Sequence, residues 1–110
     1  MEINVKDIED IKAISLVGDI DANTSVKVQE KVLPYIESHR KILLDLSKVS
    51  YMSSAGLRML LLLYRQTLAQ SGKIVLVGLS EEIEDTMSVT GFLDFFTTSG
   101  TLEDGLAVLS

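Results

Sequence analysis

A chain of 110 residues, 46% of them apolar and 24% charged, has the length and composition of one compact domain with its own core, and its charge content argues against intrinsic disorder. A net charge of −6 repels phosphate backbones and argues against a nucleic-acid partner. No cysteine and a single histidine, His39, exclude disulfides, thiol catalysis, cysteine-ligated zinc and multi-histidine metal sites.

The chain opens Met1-Glu2-Ile3-Asn4, without a basic segment followed by an apolar stretch. Its longest apolar run, Met59 to Tyr64 between Arg58 and Arg65, is far too short to cross a bilayer. The expectation is one domain over residues 1–110, cytoplasmic, without membrane insertion, metal or cofactor. The charges are unevenly placed: every basic residue lies at or before Lys73, while residues 74–110 carry seven acidic side chains. That pattern reads as a solvated acidic face, or as a surface that steers toward a basic partner.

In chain order, Ile3 and Val5 alternate with polar neighbours and predict a short first strand. Ile11, Ala13, Ile14, Leu16 and Val17 predict a second, ending at Gly18, and the pair reads as a hairpin turning near Glu9-Asp10. Residues 19–25 (DIDANTS) are capping and turn types. Val28, Val32 and Ile36 then recur at helical spacing, with Leu33 beside them, to about Ser38. Pro34 lies inside that pattern and predicts a kink or a local break. His39 is a helix-end histidine near the C-terminal dipole.

Lys41 to Leu46 is a buried-strand run, Ser47 to Ser54 a loop, and Ala55 to about Gln70 a strong helix. Its expected core stripe is Leu57, Leu60, Leu61, Tyr64 and Leu68, and Ser71-Gly72 ends it through a left-handed glycine. Ile74 to Val77 is another buried strand. Ser80 caps a helix that has an acidic first turn and runs to about Val89, closed by Gly91. Phe92, Leu93, Phe95 and Phe96 return to the core, and Thr101 to Leu109 reads as a final helix. Strands alternating with helices after a hairpin make this an α/β domain with a mixed sheet of about four to five strands and helices packed against it.

The most informative stretch follows the strand that ends at Leu46. The loop delivers Ser53 and Ser54 to the start of a strong helix, where Ser54 is expected as N-cap. Ala55 and Gly56 keep the approach uncluttered, since glycine lets another molecule's backbone come close. Other chemistries fit poorly here. A serine hydrolase needs a base, and His39 ends a different helix. A phosphate-binding loop needs more glycines and a lysine at the helix start, whereas Arg58 is the nearest cation. Asp19, Asp21 and Asp45 match no calcium-loop spacing. Nothing supplies a nucleophile–base pair or a metal cage, so an enzyme is not expected.

The run from Asp45 to Leu57 (DLSKVSYMSSAGL) resembles the signature of STAS domains, specifically the anti-sigma factor antagonists. Gly18-Asp19-Ile20-Asp21 before the first helix and Thr90-Gly91-Phe92 after the third extend the likeness, although the latter also fits a plain helix stop. The resemblance spans nearly the whole chain. It implies a partner switch in which an anti-sigma factor that is also a serine kinase phosphorylates a serine at the start of this helix. The unphosphorylated antagonist binds that kinase and frees the sigma factor, and a phosphoserine phosphatase resets the system. By motif position the acceptor is Ser54. Ser53 stands where the family often has aspartate, and is a second candidate acceptor. Ala55, Gly56 and Leu57 complete the implied partner-binding surface with Ser53. Asp19 and Asp21 are expected near Ser54 as recognition groups, or else as members of a capping turn. The other reading within the family is a scaffold, or a subunit of a signalling or transport complex, without phosphate turnover.

Overall fold

Glu9 and Asp10 form the expected turn, Glu9 with a left-handed φ of 57°. In the computed structural model, which describes residues 1–110, they join β1 (Glu2–Ile8) to β2 (Ile11–Val17) as an antiparallel hairpin. The chain continues through α1 (Ala22–Ser38), β3 (Lys41–Lys48), α2 (Ser54–Ala69), β4 (Lys73–Val77) and α3 (Glu81–Val89). A 3₁₀ turn (Phe92–Phe95), β5 (Thr97–Ser99) and α4 (Leu102–Leu109) complete it. The five strands lie in chain order, β2 to β5 all parallel, so the expected mixed α/β sheet is present. No helix is long and apolar enough to cross a membrane.

Alternation along the strands splits the apolar residues between two faces. Ile14, Leu16, Ile42, Leu44, Leu46, Ile74 and Leu76 meet α1, α2 and α3 in the main core. Ala13, Leu43, Val75 and Val77 face the other way and meet Leu109 of α4 in a smaller core. Gly105 lets α4 lie this close: a Cβ there would stand 2.6 Å from Val77 Cγ2.

Several expectations change in three dimensions. α1 passes through Pro34 unbroken. Pro34 is exposed, so the backbone acceptor deprived of its N–H partner faces water. In α2 the buried residues are Gly56, Leu57, Met59, Leu60, Leu63 and Thr67. That stripe is rotated from the expected one, leaving Leu68 53% exposed, because α2 must face both α1 and the sheet. The left-handed residue after α2 is Ser71, at φ 57°. Gly72 serves instead a close approach to β3, since a Cβ there would stand 2.7 Å from the Arg40 carbonyl oxygen. Gly91 does end α3 with φ 81°. Phe92, Leu93 and Phe96 pack against the main core, but Phe95 is 50% exposed and covers Tyr64 at a ring separation of 5.9 Å. The acidic residues after Lys73 fall largely in the first turns of α3 and α4, where the helix dipole favours them.

Candidate functional site

Beyond β2 and β3 the chain extends the parallel pairing by a few residues. Gly18 N donates to Lys48 O at 3.2 Å, Ile20 N to Tyr51 O at 2.9 Å, and Ser53 N to Ile20 O at 2.8 Å. Ile20 and Met52 form a bridge between the two segments, and both side chains are buried in the core. Alternation around buried Ile20 turns Asp19 and Asp21 outward, and both are exposed. This stitching sets the start of α1 beside the start of α2. Asp19 and Asp21 are thereby brought to the segment that carries Ser53 and Ser54.

Both helix starts are capped. Asp21 is the N-cap of α1, its Oδ1 accepting from Asn23 N and Thr24 N at 2.9 Å each, while Asp21 N donates to Thr24 Oγ1 at 2.8 Å. The Thr24 backbone bond, ahead of the Thr24 hydroxyl and Asn23 bonds, holds the Asp21 carboxyl below its ordinary value. Asp19 Oδ1 accepts from Ser50 Oγ at 3.1 Å, a second tie between the two loops.

The N-cap of α2 is Ser53 rather than Ser54. Ser53 Oγ accepts from Gly56 N at 3.3 Å, and Ser54 is the first helical residue. The two hydroxyls thus divide: Ser53 is half-buried and occupied, Ser54 exposed and free of the cap. Ser53→Ala is expected to cost about 1 kcal/mol of stability, read as a lower Tm, while Ser54→Ala leaves Tm near wild type. Gly56 and Leu57 are buried and offer a partner little surface. The bare Cα of Gly56 serves an internal contact, because an added Cβ would lie 2.5 Å from Met52 Cγ and 2.8 Å from Ile20 Cγ2. Ala55 is half-exposed and stays on the accessible side with Ser54.

A groove of about 190 Å³ opens between this loop and α3, lined by Ser50, Tyr51, Met52, Leu57, Glu82 and Ile83 among others. Tyr51 is 54% exposed at its lip. No local pattern joins Tyr51 to Glu82, since α3 reaches the loop only through the sheet's topology. His39 stands beyond the opposite end of β3 from this loop, hydrogen-bonded by Nδ1 to Ser38 Oγ at 2.8 Å.

Two further carboxyls are held low: Asp7 by its hydrogen bond with Lys12, and Asp10 by its bond with Lys41. Lowered folded-state values mean that these groups, with Asp21, add stability above the ordinary aspartate value, and that it is lost as pH falls through the depressed ones. Stability is therefore expected to decline from about pH 4 downward, seen by circular dichroism melts across the acid range. A melting temperature unchanged down to about pH 2 would contradict this.

A family model described as the STAS domain matches residues 2–105. The anti-sigma-B factor antagonist of Listeria monocytogenes is 34% identical over 95 residues, 86% of this chain and 82% of that protein. The anti-sigma-B factor antagonist of Bacillus subtilis is 28% identical over 106 residues, 96% and 97% of the two chains. Among solved structures, an anti-sigma factor antagonist from Mycobacterium paratuberculosis superposes with a TM-score of 0.88 at 24% identity, over 98% of this chain and 92% of that one. The Bacillus cell fate determinant SpoIIAA in its phosphorylated form does so with a TM-score of 0.77 at 18% identity, over 99% and 100%. These structural likenesses speak to the fold.

Proposed function

The chain belongs to the STAS domain family, and we propose that it acts there as an anti-sigma factor antagonist switched by phosphorylation of Ser54. Unphosphorylated, it binds an anti-sigma factor serine kinase and releases the sigma factor. The kinase moves the γ-phosphoryl group of ATP to Ser54 Oγ, the hydroxyl proton leaves, and ADP is released. The phosphorylated antagonist lets go of the kinase, and a phosphoserine phosphatase returns the hydroxyl.

The observation that carries this reading is the division of labour between the two serines: Ser53 holds the cap, leaving Ser54 exposed on the first turn of α2. A phosphate there meets the positive end of the helix dipole and first-turn N–H groups, so the fold tolerates it. Asp19 and Asp21, on the adjoining loop, are recognition groups that the kinase reads beside its target. Ala55, with Tyr51 at the groove, widens that surface.

Intact-mass spectrometry after incubation with ATP and each candidate kinase of the same genome tests the proposal. One phosphate on wild type, retained in Ser53→Ala and absent from Ser54→Ala, is the expected result. Stable binding to a larger assembly with no phosphate from any kinase would replace the switch with the scaffold reading. Asp21→Asn keeps a capping side chain while removing the charge. It is expected to slow phosphorylation with little loss of Tm, and an unchanged rate would remove Asp21 from the recognition surface.

A further inference from the structure

β1 is an edge strand: β2 pairs along one side and the other side is open. Its two-residue turn determines which backbone groups face that open side. Ile8 and Ile11 close the turn as a hydrogen-bonded pair, and such pairs alternate along an antiparallel ladder. Glu2, Asn4 and Lys6 therefore direct their N–H and C=O groups toward β2, while Ile3 and Val5 direct theirs outward. The side chains alternate across the sheet. Ile3 and Val5 are half-buried against the main core. Glu2, Asn4 and Lys6 stand exposed on the other face, where Asn4 Nδ2 donates to Glu2 Oε2 at 2.8 Å. Edge strands are commonly blunted by charged side chains, proline, bulges or brevity. β1 has seven residues, none of them proline, and pairs with β2 without a register shift. Its charges are of both signs.

We propose that the open edge of β1 pairs antiparallel with β1 of a second copy of this chain, in the register that sets Asn4 opposite Asn4. In that register Ile3 and Val5 meet as a hydrogen-bonded pair using the outward backbone groups. Glu2 and Lys6 meet as a non-hydrogen-bonded pair, the geometry in which cross-strand side chains come closest. Two-fold symmetry makes each of these pairs twice. A shift of one residue, in either direction, sets outward backbone groups against groups already bonded to β2 and forms no ladder. A shift of two sets Ile3 against Asp7 and Glu2 against Ile8 in one direction, and leaves Glu2 opposite Asn4 in the other. Only the Asn4-centred register sets Glu2 against Lys6 while keeping Ile3 opposite Val5. The product is one continuous sheet with α1, α2 and α3 of both copies on the same side. The two Ser54 sites point to opposite ends and stay uncovered. Pairing along one edge buries little area, so the dimer is weak, in the micromolar to millimolar range.

Sedimentation of the full chain across that concentration range tests the pairing, with circular dichroism to confirm each variant's fold. Wild type is expected to shift from one chain to two. Glu2→Lys alone and Lys6→Glu alone place like charges opposite each other twice, and are expected to weaken the dimer about tenfold or more. The double variant Glu2→Lys/Lys6→Glu restores the pairs and is expected to recover wild-type affinity. Backbone amide exchange supplies a readout specific to the edge. Ile3 and Val5 gain protection as concentration rises, whereas Asn4 and Lys6, already bonded to β2, do not change. A wild type monomeric throughout would overturn the proposal. So would single reversals that leave the dimer unaffected, a double variant that stays monomeric, or dimerisation without protection of Ile3 and Val5.

Discussion

If the proposed switch operates, protein phosphorylated on Ser54 is expected to bind an anti-sigma factor kinase roughly ten- to ten-thousand-fold more weakly than the unmodified form, and Ser54→Asp to reproduce a lesser part of that loss. The expected loss is electrostatic. Phosphate adds nearly two negative charges, and one acidic partner group placed about 6 Å away would repel it by roughly 1.4–5.5 kcal/mol for an effective dielectric between about 80 and 20. Aspartate brings one charge, so its share is roughly 0.7–2.8 kcal/mol, or about three- to hundredfold in affinity. The fold itself is not the target. An acid on the first turn of α2 sits at the favourable end of the helix dipole, so Ser54→Asp should melt at or slightly above the wild-type temperature. Calorimetric titration against the kinase, paired with thermal melts, separates the two effects. Wild-type affinity in the phosphorylated protein would end the switch model. Lost affinity accompanied by a lowered Tm would mean that the charge acts by disordering α2.

Gly56→Val is expected to destabilise the domain by about 2–3 kcal/mol through overpacking, which for a domain of this size is about a 10 °C fall in Tm. The first turn of α2 lies directly on Ile20 and Met52, so a Cβ at residue 56 enters space held by Met52 Cγ at 2.5 Å and Ile20 Cγ2 at 2.8 Å. Neither neighbour has an easy escape. Ile20 is fully buried, and the backbone bonds of Ile20 to Tyr51 and Ser53 pin the strand extension between them. Replacing Gly56 by a better helix former returns at most about 1 kcal/mol, less than the strain. Gly100→Ala is the control: nothing lies within 4 Å of its added Cβ, and Tm should stay within about 2 °C. Equal melting of the two variants would show that α2 can lift off Ile20 at no cost. The displaced helix start should also slow phosphorylation of Ser54, although that residue is untouched.

Much of the architecture was legible because local chemistry and tertiary structure agree. The runs Lys41–Leu46 and Ile74–Val77 read as buried strands, and central parallel strands are apolar on both faces for that reason. The turn at Glu9-Asp10, the cap at Ser80 and the stop at Gly91 were visible from side chains that act within a few residues of themselves. β5 was not visible. Thr97, Thr98 and Ser99 have no apolar alternation, and they form a strand because β4 offers them backbone partners.

The candidate site divides along the same line. That a serine pair opens a strong amphipathic helix after a buried strand follows from the order of residues alone. So does the capping chemistry before α1, because caps, turns and periodicity depend on neighbours in the chain. Which serine is occupied was decided only by the fold. The bond from Ser53 N to Ile20 O ties that residue to a segment more than thirty positions earlier, so α2 begins at Ser54 and the cap falls one residue before it. The same contact makes Gly56 an internal packing residue, brings Asp19 and Asp21 to the site, and rotates the buried stripe of α2 away from Leu68. A sequence specifies what each short segment prefers. Where segments with equal claims compete, packing between distant ones chooses, since each must bury its apolar face against whatever the topology sets opposite it.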